Sequence, residues 1–331
     1  MAGALEADWR LSTPVALIIF NRPHTTRAVF ERIRAARPPK LLVTADGPRR
    51  DRPDEERLCA AARQIVHEVD WPCEVHTRFS QDNLGCRDGP AKGIDWVFSL
   101  VPEAIILEDD CLPHPSFFRF CDELLHRYRD DPRVGMIAGS KLHAVHAKDE
   151  TSYFFSKYPF IWGWATWRRA WGRYDRSASA WPSFRRSEAF RAITLPVERA
   201  YWERSFDSVH RGALDAWDYQ WTLTCWRTGM LSVVPHSNLV SNIGFGPGAT
   251  HTVQMGALAN LPCGEMPFPL AHPRSVLADR GTDAAHAAGF RQGWRGRLLR
   301  ALGLSRLGRT YASSRATRAV SGGASPPPAG G

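Results

Sequence analysis

Apolar and polar positions come in alternating blocks over the first 140 residues. Val15 to Phe20 is an unbroken apolar run, the pattern of a parallel strand buried on both faces. Asn21-Arg22-Pro23 ends it, and His24 to Ala36 follows with Ala28, Val29, Ile33 and Ala36 on one helical face. Leu41 to Ala45 reads as a second buried strand, closed by the turn Asp46-Gly47-Pro48. Pro53-Asp54-Glu55-Glu56 opens a helix to about Val69, because proline at the first position and acids in the first turn suit the helix dipole. Cys73 to Phe79 alternates as a third strand, Asp82 to Gly89 reads as a loop, and Pro90 to Leu100 as a helix. Ala104 to Leu107 is a further buried strand. Pro115 starts a helix that buries Phe117, Phe118, Cys121, Leu124, Leu125 and Tyr128, and Val134 to Ala138 is a short strand. Strand and helix in alternation predict an α/β fold: a Rossmann-like, mostly parallel sheet with helices on both faces.

Past residue 150 this alternation stops. Phe160 to Trp167 reads as an aromatic strand carrying Gly163, and a lone strand glycine often admits a ligand or another backbone. Trp171 to Trp202 predicts helices and loops, Asp218 to Arg227 a helix, Leu231 to Val234 a strand and Asn238 to Asn242 one more. Gly244 to Gly248 is a glycine-rich loop leading to Thr250-His251.

The chemistry gathers where the fourth apolar run ends. Glu108, Asp109 and Asp110 follow it at once, and Pro113 and Pro115 block continuation of the strand. Three like charges at the end of a buried strand are costly unless something positive sits beside them. A divalent ion with hard oxygen ligands is one such partner; a solvated acidic turn is the plainer alternative. Asn21, Asp46, Asn83 and Asp110 all sit after strands or open the next loop, where open α/β sheets bind ligands. No GxGxxG follows the first strand and no GxxxxGK[ST] occurs, so the usual dinucleotide and P-loop readings lose support.

Composition changes this picture little. The formal charge is +9, but eight arginines and no acids lie beyond residue 290, which leaves the first 290 residues at +1. The high charge therefore gives no argument for nucleic-acid binding by the fold. The seven cysteines are odd in number, contain no CxxC and fit no zinc module, so they read as reduced thiols. With no apolar run long enough for a membrane span and no signal-like N-terminus, a cytoplasmic protein is the default expectation. Trp294 to Tyr311 mixes leucines with arginines and could lie on an anionic membrane face, although disorder suits its glycines better. His143 and His146 read as structural, and Arg87, Lys92, Arg168 and Arg169 as either phosphate contacts or solvated charges.

Taken in order, Ile19-Phe20-Asn21-Arg22-Pro23, Thr44-Ala45-Asp46-Gly47, Asn83-Leu84-Gly85-Cys86, Leu107-Glu108-Asp109-Asp110, Trp162 to Trp167, Trp217-Asp218-Tyr219-Gln220 and Asn242 to Gly246 with Thr250-His251 resemble GT-A-fold glycosyltransferases. The likeness is to the family 2-like group and the N-acetylglucosaminyltransferase I type, over roughly residues 13 to 255. The resemblance implies a nucleotide-diphosphate sugar donor, with a uridine base, and a Mn²⁺ or Mg²⁺ ion. It implies an acceptor hydroxyl on a glycan, a lipid-linked sugar or a small molecule. It points to Asp110 and His251 for the metal, and to Phe20, Asn21, Arg22, Asp46, Asn83, Gly85, Arg87, Glu108 and Asp109 for the donor. It points to Asp218 as general base, with Asp215 as the alternative. Trp162, Gly163, Trp164, Trp217 and Tyr219 would wall the sugar site. Residues 1–12 are then an N-terminal extension and 13–255 the catalytic domain, with 13–140 its nucleotide-sugar half and 150–255 its small acceptor-side half. Residues 256–290 are a C-terminal extension and 291–331 a basic, disordered tail. A helix N-cap is the plain reading of Asp218, and packing that of WGWATW. A nucleotidyltransferase using the same acids, or a non-catalytic carbohydrate-binding relative, are the competing classes.

Overall fold

The computed structural model describes residues 9–142, 151–245 and 260–289. In chain order the first half gives β1 (Val15–Ile19), α1 (Pro23–Ala36), β2 (Lys40–Ala45), α2 (Glu55–Gln64) with a 3₁₀ turn at Ile65–Glu68, β3 (Glu74–Phe79), α3 (Gly85–Leu100), β4 (Glu103–Glu108), β5 (Cys111–Pro113), α4 (Pro115–Arg127) and β6 (Val134–Ala138). The second half gives β7 (Tyr153–Ser156), β8 (Trp164–Trp167), α5 (Arg168–Trp171), α6 (Trp181–Phe184), α7 (Glu188–Ile193), α8 (Pro196–His210), α9 (Asp218–Thr228), β9 (Leu231–Pro235) and β10 (Val240–Asn242).

The large sheet runs β3-β2-β1-β4-β8-β6-β9-β7. Its first four strands are parallel, as the alternating pattern predicts. Beyond β4 the parallel expectation gives way to a mixed arrangement. β8 is antiparallel to both β4 and β6, β9 is parallel to β6, and β7 is antiparallel to β9. Apolar content marks a strand as buried but carries no sign of its direction. The fold is thus a mixed α/β one, broadly Rossmann-like, with a central sheet flanked by helices.

Side-chain alternation along the strands divides the interior in two. Val15, Leu17 and Ile19 of β1 face a core shared with Val29, Phe30 and Ile33 of α1 and Phe117, Phe118 and Leu124 of α4. Ala16 of β1 faces the other side, with Ala91, Ile94 and Val97 of α3 and the aromatic mass of Trp164, Trp171, Trp202 and Trp221. Most of the tryptophans around 162–226 therefore serve this second core.

Two departures from the predicted elements matter for the site. Helix α3 begins at Gly85, with Pro90 inside it, where the sequence reads as a loop. Pro113 does not end the chain's extended run. After the turn at Asp109–Asp110 the chain forms β5, which pairs antiparallel with β10 and sets Cys111 opposite Asn242. That ribbon brings residues 242–245 to the acidic turn.

The second half is tied together by a buried network. Lys157 Nζ pairs with Glu198 at 2.5 Å, and the same carboxylate accepts from Tyr158 Oη (2.6 Å), Trp202 Nε1 (2.8 Å) and Leu195 N (2.9 Å). A helical stretch over 280–289 packs beside it, where Asp283 accepts from Ser156 Oγ at 2.6 Å and Lys157 N at 3.2 Å. Among the described residues no helix is long and apolar enough to cross a membrane. The basic tail beyond residue 290 and the pair His143 and His146 lie outside the described residues.

Burial pushes the Asp283 carboxyl up to about 6, against the opposing pull of Ser156 and Lys157. The folded chain then binds this proton more tightly than the unfolded chain, so Asp283 lowers stability as pH rises from about 4 to 6. Asp283→Asn should flatten that part of the stability profile, a slope on the order of 3 kcal/mol across the window. Urea unfolding at pH 4, 5, 6 and 7 measures it, and parallel profiles for the two proteins would contradict the assignment.

Candidate functional site

The acidic run at the end of β4 is turned inward, not into solvent. Glu108 still pairs with Ile18 of β1 in the sheet, while Asp109 and Asp110 form the turn to β5. Asp109 is 2% exposed and Asp110 8%. The positive partner within the fold is Arg22, in the loop between β1 and α1. Its guanidinium pairs with Asp109 and, at 2.9 Å, with Asp110 Oδ2, and Asp109 Oδ2 also accepts the Phe20 N–H at 3.0 Å. Burial works against the charge of Arg22, but Asp109 and Asp110 outweigh it and hold the group more firmly protonated. Glu108 makes no ion pair with Arg22, whose charge only partly offsets what raises its carboxyl. Burial first, then Asp110 and Asp109, push its carboxyl well above the usual range. Its Oε1 is shielded from water and has no hydrogen-bond partner among the described residues.

These groups open onto a cavity of about 660 Å³ at the carboxyl ends of β1, β2 and β4. Asp46, at the end of β2, lines it with a carboxylate that the protein's own donors engage. Its oxygens accept from Gly47 N (2.9 Å), Leu84 N (2.8 Å), Gly85 N (3.1 Å) and Asn83 Nδ2 (3.0 Å). Asn83 spends its amide on Asp46 and on the Gly47 carbonyl. The pair therefore builds the loop that starts α3. Burial raises the Asp46 carboxyl, and the backbone amides oppose this. Asp215 likewise faces protein: its two oxygens accept the amides of Cys86 (3.0 Å) and Arg87 (2.9 Å).

The opposite wall comes from the second half of the chain. Asp218 is the first residue of α9 and Trp217 stands at the N-cap position, without a side-chain cap. Asp218 is close enough to Glu108 for its charge to raise that carboxyl. Trp162, Trp217 and Tyr219 line the cavity, Trp217 backed by Trp164 at 5.7 Å and 21°.

Several sequence-predicted residues lie elsewhere. Trp164 is wholly buried among Trp171, Trp217 and Trp221, so it supports the wall and cannot be its surface. Gly163 packs against Val240 and Leu107. Asn21 donates to Glu55 at 2.9 Å. Arg87 turns to Asp88 (3.1 Å), and Lys92 lies 3.8 Å from the same residue. Arg168 and Arg169 donate to backbone carbonyls of Phe98, Arg129, Tyr128 and Val134. His251 lies outside the described residues.

Sequence reasoning passed over Arg49 and gave no site role to Cys86, Asn242, Gly244 and Phe245, which it met only inside the matching segments; all five are in the cavity wall. Arg49 is held by Glu55, and its guanidinium carbon stands 5.7 Å from the Phe20 ring centre. Its signal was the acid six residues on. Gly244 is a close-approach position: a Cβ there would lie 2.2 Å from Asp110 Oδ2 and 2.6 Å from the Arg22 guanidinium.

Among the described residues no three His, Cys, Asp or Glu side chains converge as a metal cluster. Magnesium-type sites commonly use only one or two carboxylates and complete the shell with water and ligand phosphates. Asp110 and Glu108 fit that smaller requirement, since both line the cavity and Glu108 holds an oxygen without a partner.

No protein-family model and no curated protein matches the chain. Among solved structures it is similar to a chain described as UDP-glucose pyrophosphorylase complexed with UDP-glucose, at a TM-score of 0.23 and 12% identity. The alignment covers 44% of this chain and spans 62% of the length of that one.

Asp46→Ala should leave the amides of Leu84 and Gly85 without their acceptor and cost about 1–3 kcal/mol in urea unfolding. Gly244→Ala should push Asp110 off Arg22, lowering stability by more than that, about 3–5 kcal/mol, and altering ligand affinity in the protein that still folds. A Gly244→Ala protein with unchanged affinity for every nucleotide tested would show that this corner does not touch the ligand.

Proposed function

We propose that the cavity takes a nucleotide-diphosphate sugar, a uridine one in our reading. The chain would transfer its sugar to an acceptor hydroxyl with inversion, as a glycosyltransferase of the GT-A type. The observation that carries this reading is the two-sided cavity: an acidic turn clamped by Arg22 on the strand-end wall, and Asp218 between Trp217 and Tyr219 on the other. The residues up to 140 would hold the donor and 150–255 the acceptor.

In this mechanism Phe20 and the loop Asn83–Gly85 line the nucleotide side, with Asp46 acting through the backbone of that loop. Arg22 lies where charge grows on the departing diphosphate, the placement in which a fixed cation lowers a barrier. Asp110, with Glu108, would hold the divalent ion, and His251 stays a candidate from the resemblance. When bound, such an ion offsets phosphate charge as a Lewis acid. The acceptor oxygen forms a bond to the anomeric carbon as the bond from that carbon to the diphosphate oxygen breaks, and Asp218 takes the hydroxyl proton. Trp162, Trp217 and Tyr219 would face apolar sugar surfaces. The acceptor class, whether glycan, lipid-linked sugar or small molecule, is left to assay.

A second reading uses the same acidic wall for nucleotidyl transfer, in which a sugar phosphate attacks a nucleoside triphosphate and pyrophosphate leaves. Two arginines in one cavity wall, Arg22 and Arg49, favour it to the extent that a triphosphate needs more cation.

Thermal stabilisation by Mn²⁺ with a panel of nucleotide sugars should first find the donor, and product analysis then separates the readings. Free nucleoside diphosphate and an inverted anomeric centre are expected; pyrophosphate would select the second reading, and a retained centre would remove Asp218 from its role. Asp218→Asn should cut turnover by about 10²–10⁴-fold with donor affinity kept.

A further inference from the structure

The loop that carries the proposed base is fastened to the far side of the cavity. Helix α8 ends at His210, and residues 211–217 lead to α9 with Gly212 at φ +70°. Leu214, Asp215, Ala216 and Trp217 of this loop form cavity wall, and Asp218 and Tyr219 follow at once. From its outer edge Asp215 reaches across 129 residues of sequence to accept the Cys86 amide at 3.0 Å, and the Arg87 amide at 2.9 Å. These are first-turn donors of α3, which has no intrahelical acceptor for them. Room is left for the carboxylate by Gly85, where a Cβ would stand 2.8 Å from Asp215 Oδ2, and where φ is +79°. The other end of the segment is tied by Tyr174 Oη, which donates to the Trp217 carbonyl at 3.1 Å.

We propose that Asp215 is a positioning residue: by capping α3 from across the cavity it sets where Asp218 stands. The role rests on the reading of Asp218 as base, but the latch itself does not. A carboxylate with both oxygens on backbone amides is poorly placed to take a proton from a hydroxyl, so Asp215 acts on the reaction through Asp218. Since α3 also receives Asp46 at its preceding amides, one helix end joins the β2 side of the cavity to the α9 side.

Amide hydrogen exchange followed by mass spectrometry decides the latch without any assay of transfer. In Asp215→Ala, exchange over 211–219 and at the start of α3 should quicken about tenfold, while β1, β2 and β4 stay unchanged. Turnover should fall about 10- to 100-fold, the effect of a misplaced catalytic group, with KM for the donor within about twofold. Asp215→Asn keeps one acceptor oxygen and should sit between the two in both readouts. Gly85→Ala crowds the carboxylate from the other side and should quicken exchange over 211–219 as well, which covers the case of an Asp215→Ala chain that does not fold. Unchanged exchange in these variants would overturn the latch. Normal exchange in Asp215→Asn with turnover as low as in Asp215→Ala would overturn the positioning role and make Asp215 the proton acceptor. Quickened exchange in a chain whose Asp218→Asn variant loses nothing would uphold the latch and overturn only the link to the base.

Discussion

The site depends on one buried arrangement of charge: a single guanidinium shared between two aspartates at the end of β4. Arg22 lies just past β1 and Asp109 and Asp110 just past β4, and these strands are neighbours in the sheet. Breaking such a group from one side leaves an unpaired buried charge, which costs far more than the pair contributes. The arrangement therefore fixes where the β1 loop can lie, and with it Phe20, whose amide is held by Asp109. It also leaves Glu108 without a cation of its own. A carboxyl pushed toward its neutral form is a hydrogen-bond donor in the absence of a ligand and an oxygen ligand in the presence of a cation.

Helix α3 shows a second constraint that acts in the same direction. The N-terminus of a long helix is a ready anion site. Here its amides are already taken, by Asp46 at Leu84 and Gly85 and by Asp215 at Cys86 and Arg87. The chain's own carboxylates occupy the place that a phosphate takes in many α/β proteins. In the cavity wall a phosphorylated ligand then meets Arg22 and Arg49, each already held by carboxylates, so further positive charge would come as an ion brought with it.

This also explains which parts of the molecule could be read beforehand. The strands β1, β2 and β4 declare themselves because parallel strands buried on both faces need unbroken apolar runs. The acidic turn was legible for the same reason, as charge abutting such a run. The start of α3 was not: Leu84 at its N-cap makes no side-chain cap, and the groups that cap it lie 38 to 39 and 128 to 129 residues away. Local sequence cannot show a helix whose first turn is completed by distant carboxylates. Trp164 and Trp217 were equally opaque, since both are tryptophans in aromatic runs and only packing makes one the lining and the other its support. Arg22 was expected against a nucleotide, and its engagement with the acidic turn follows from strand order, which composition does not reveal.

Charge in the cavity decides what the proposed function requires. Six acids line it, Asp46, Glu108, Asp109, Asp110, Asp215 and Asp218, against two arginines. Four of the six are offset in place: Asp109 and Asp110 by Arg22, Asp46 and Asp215 by backbone amides. Arg49 is already paired with Glu55, outside this count. Of the other two acids, Glu108 has an oxygen without a hydrogen-bond partner among the described residues, and both arginines of the wall are already engaged by carboxylates. A nucleoside diphosphate would add negative charge to that wall, and at an effective dielectric near 20 two like charges about 4 Å apart repel by about 4 kcal/mol. Glu108 can relieve part of this by staying protonated. In the proposed function a divalent ion entering with the diphosphate would offset the rest, held by Asp110 and by Glu108 once it loses its proton. As the proposed base, Asp218 would have to stay apart from that ion and ionised, because a base neutralised by the ion or by a proton cannot accept one from the acceptor.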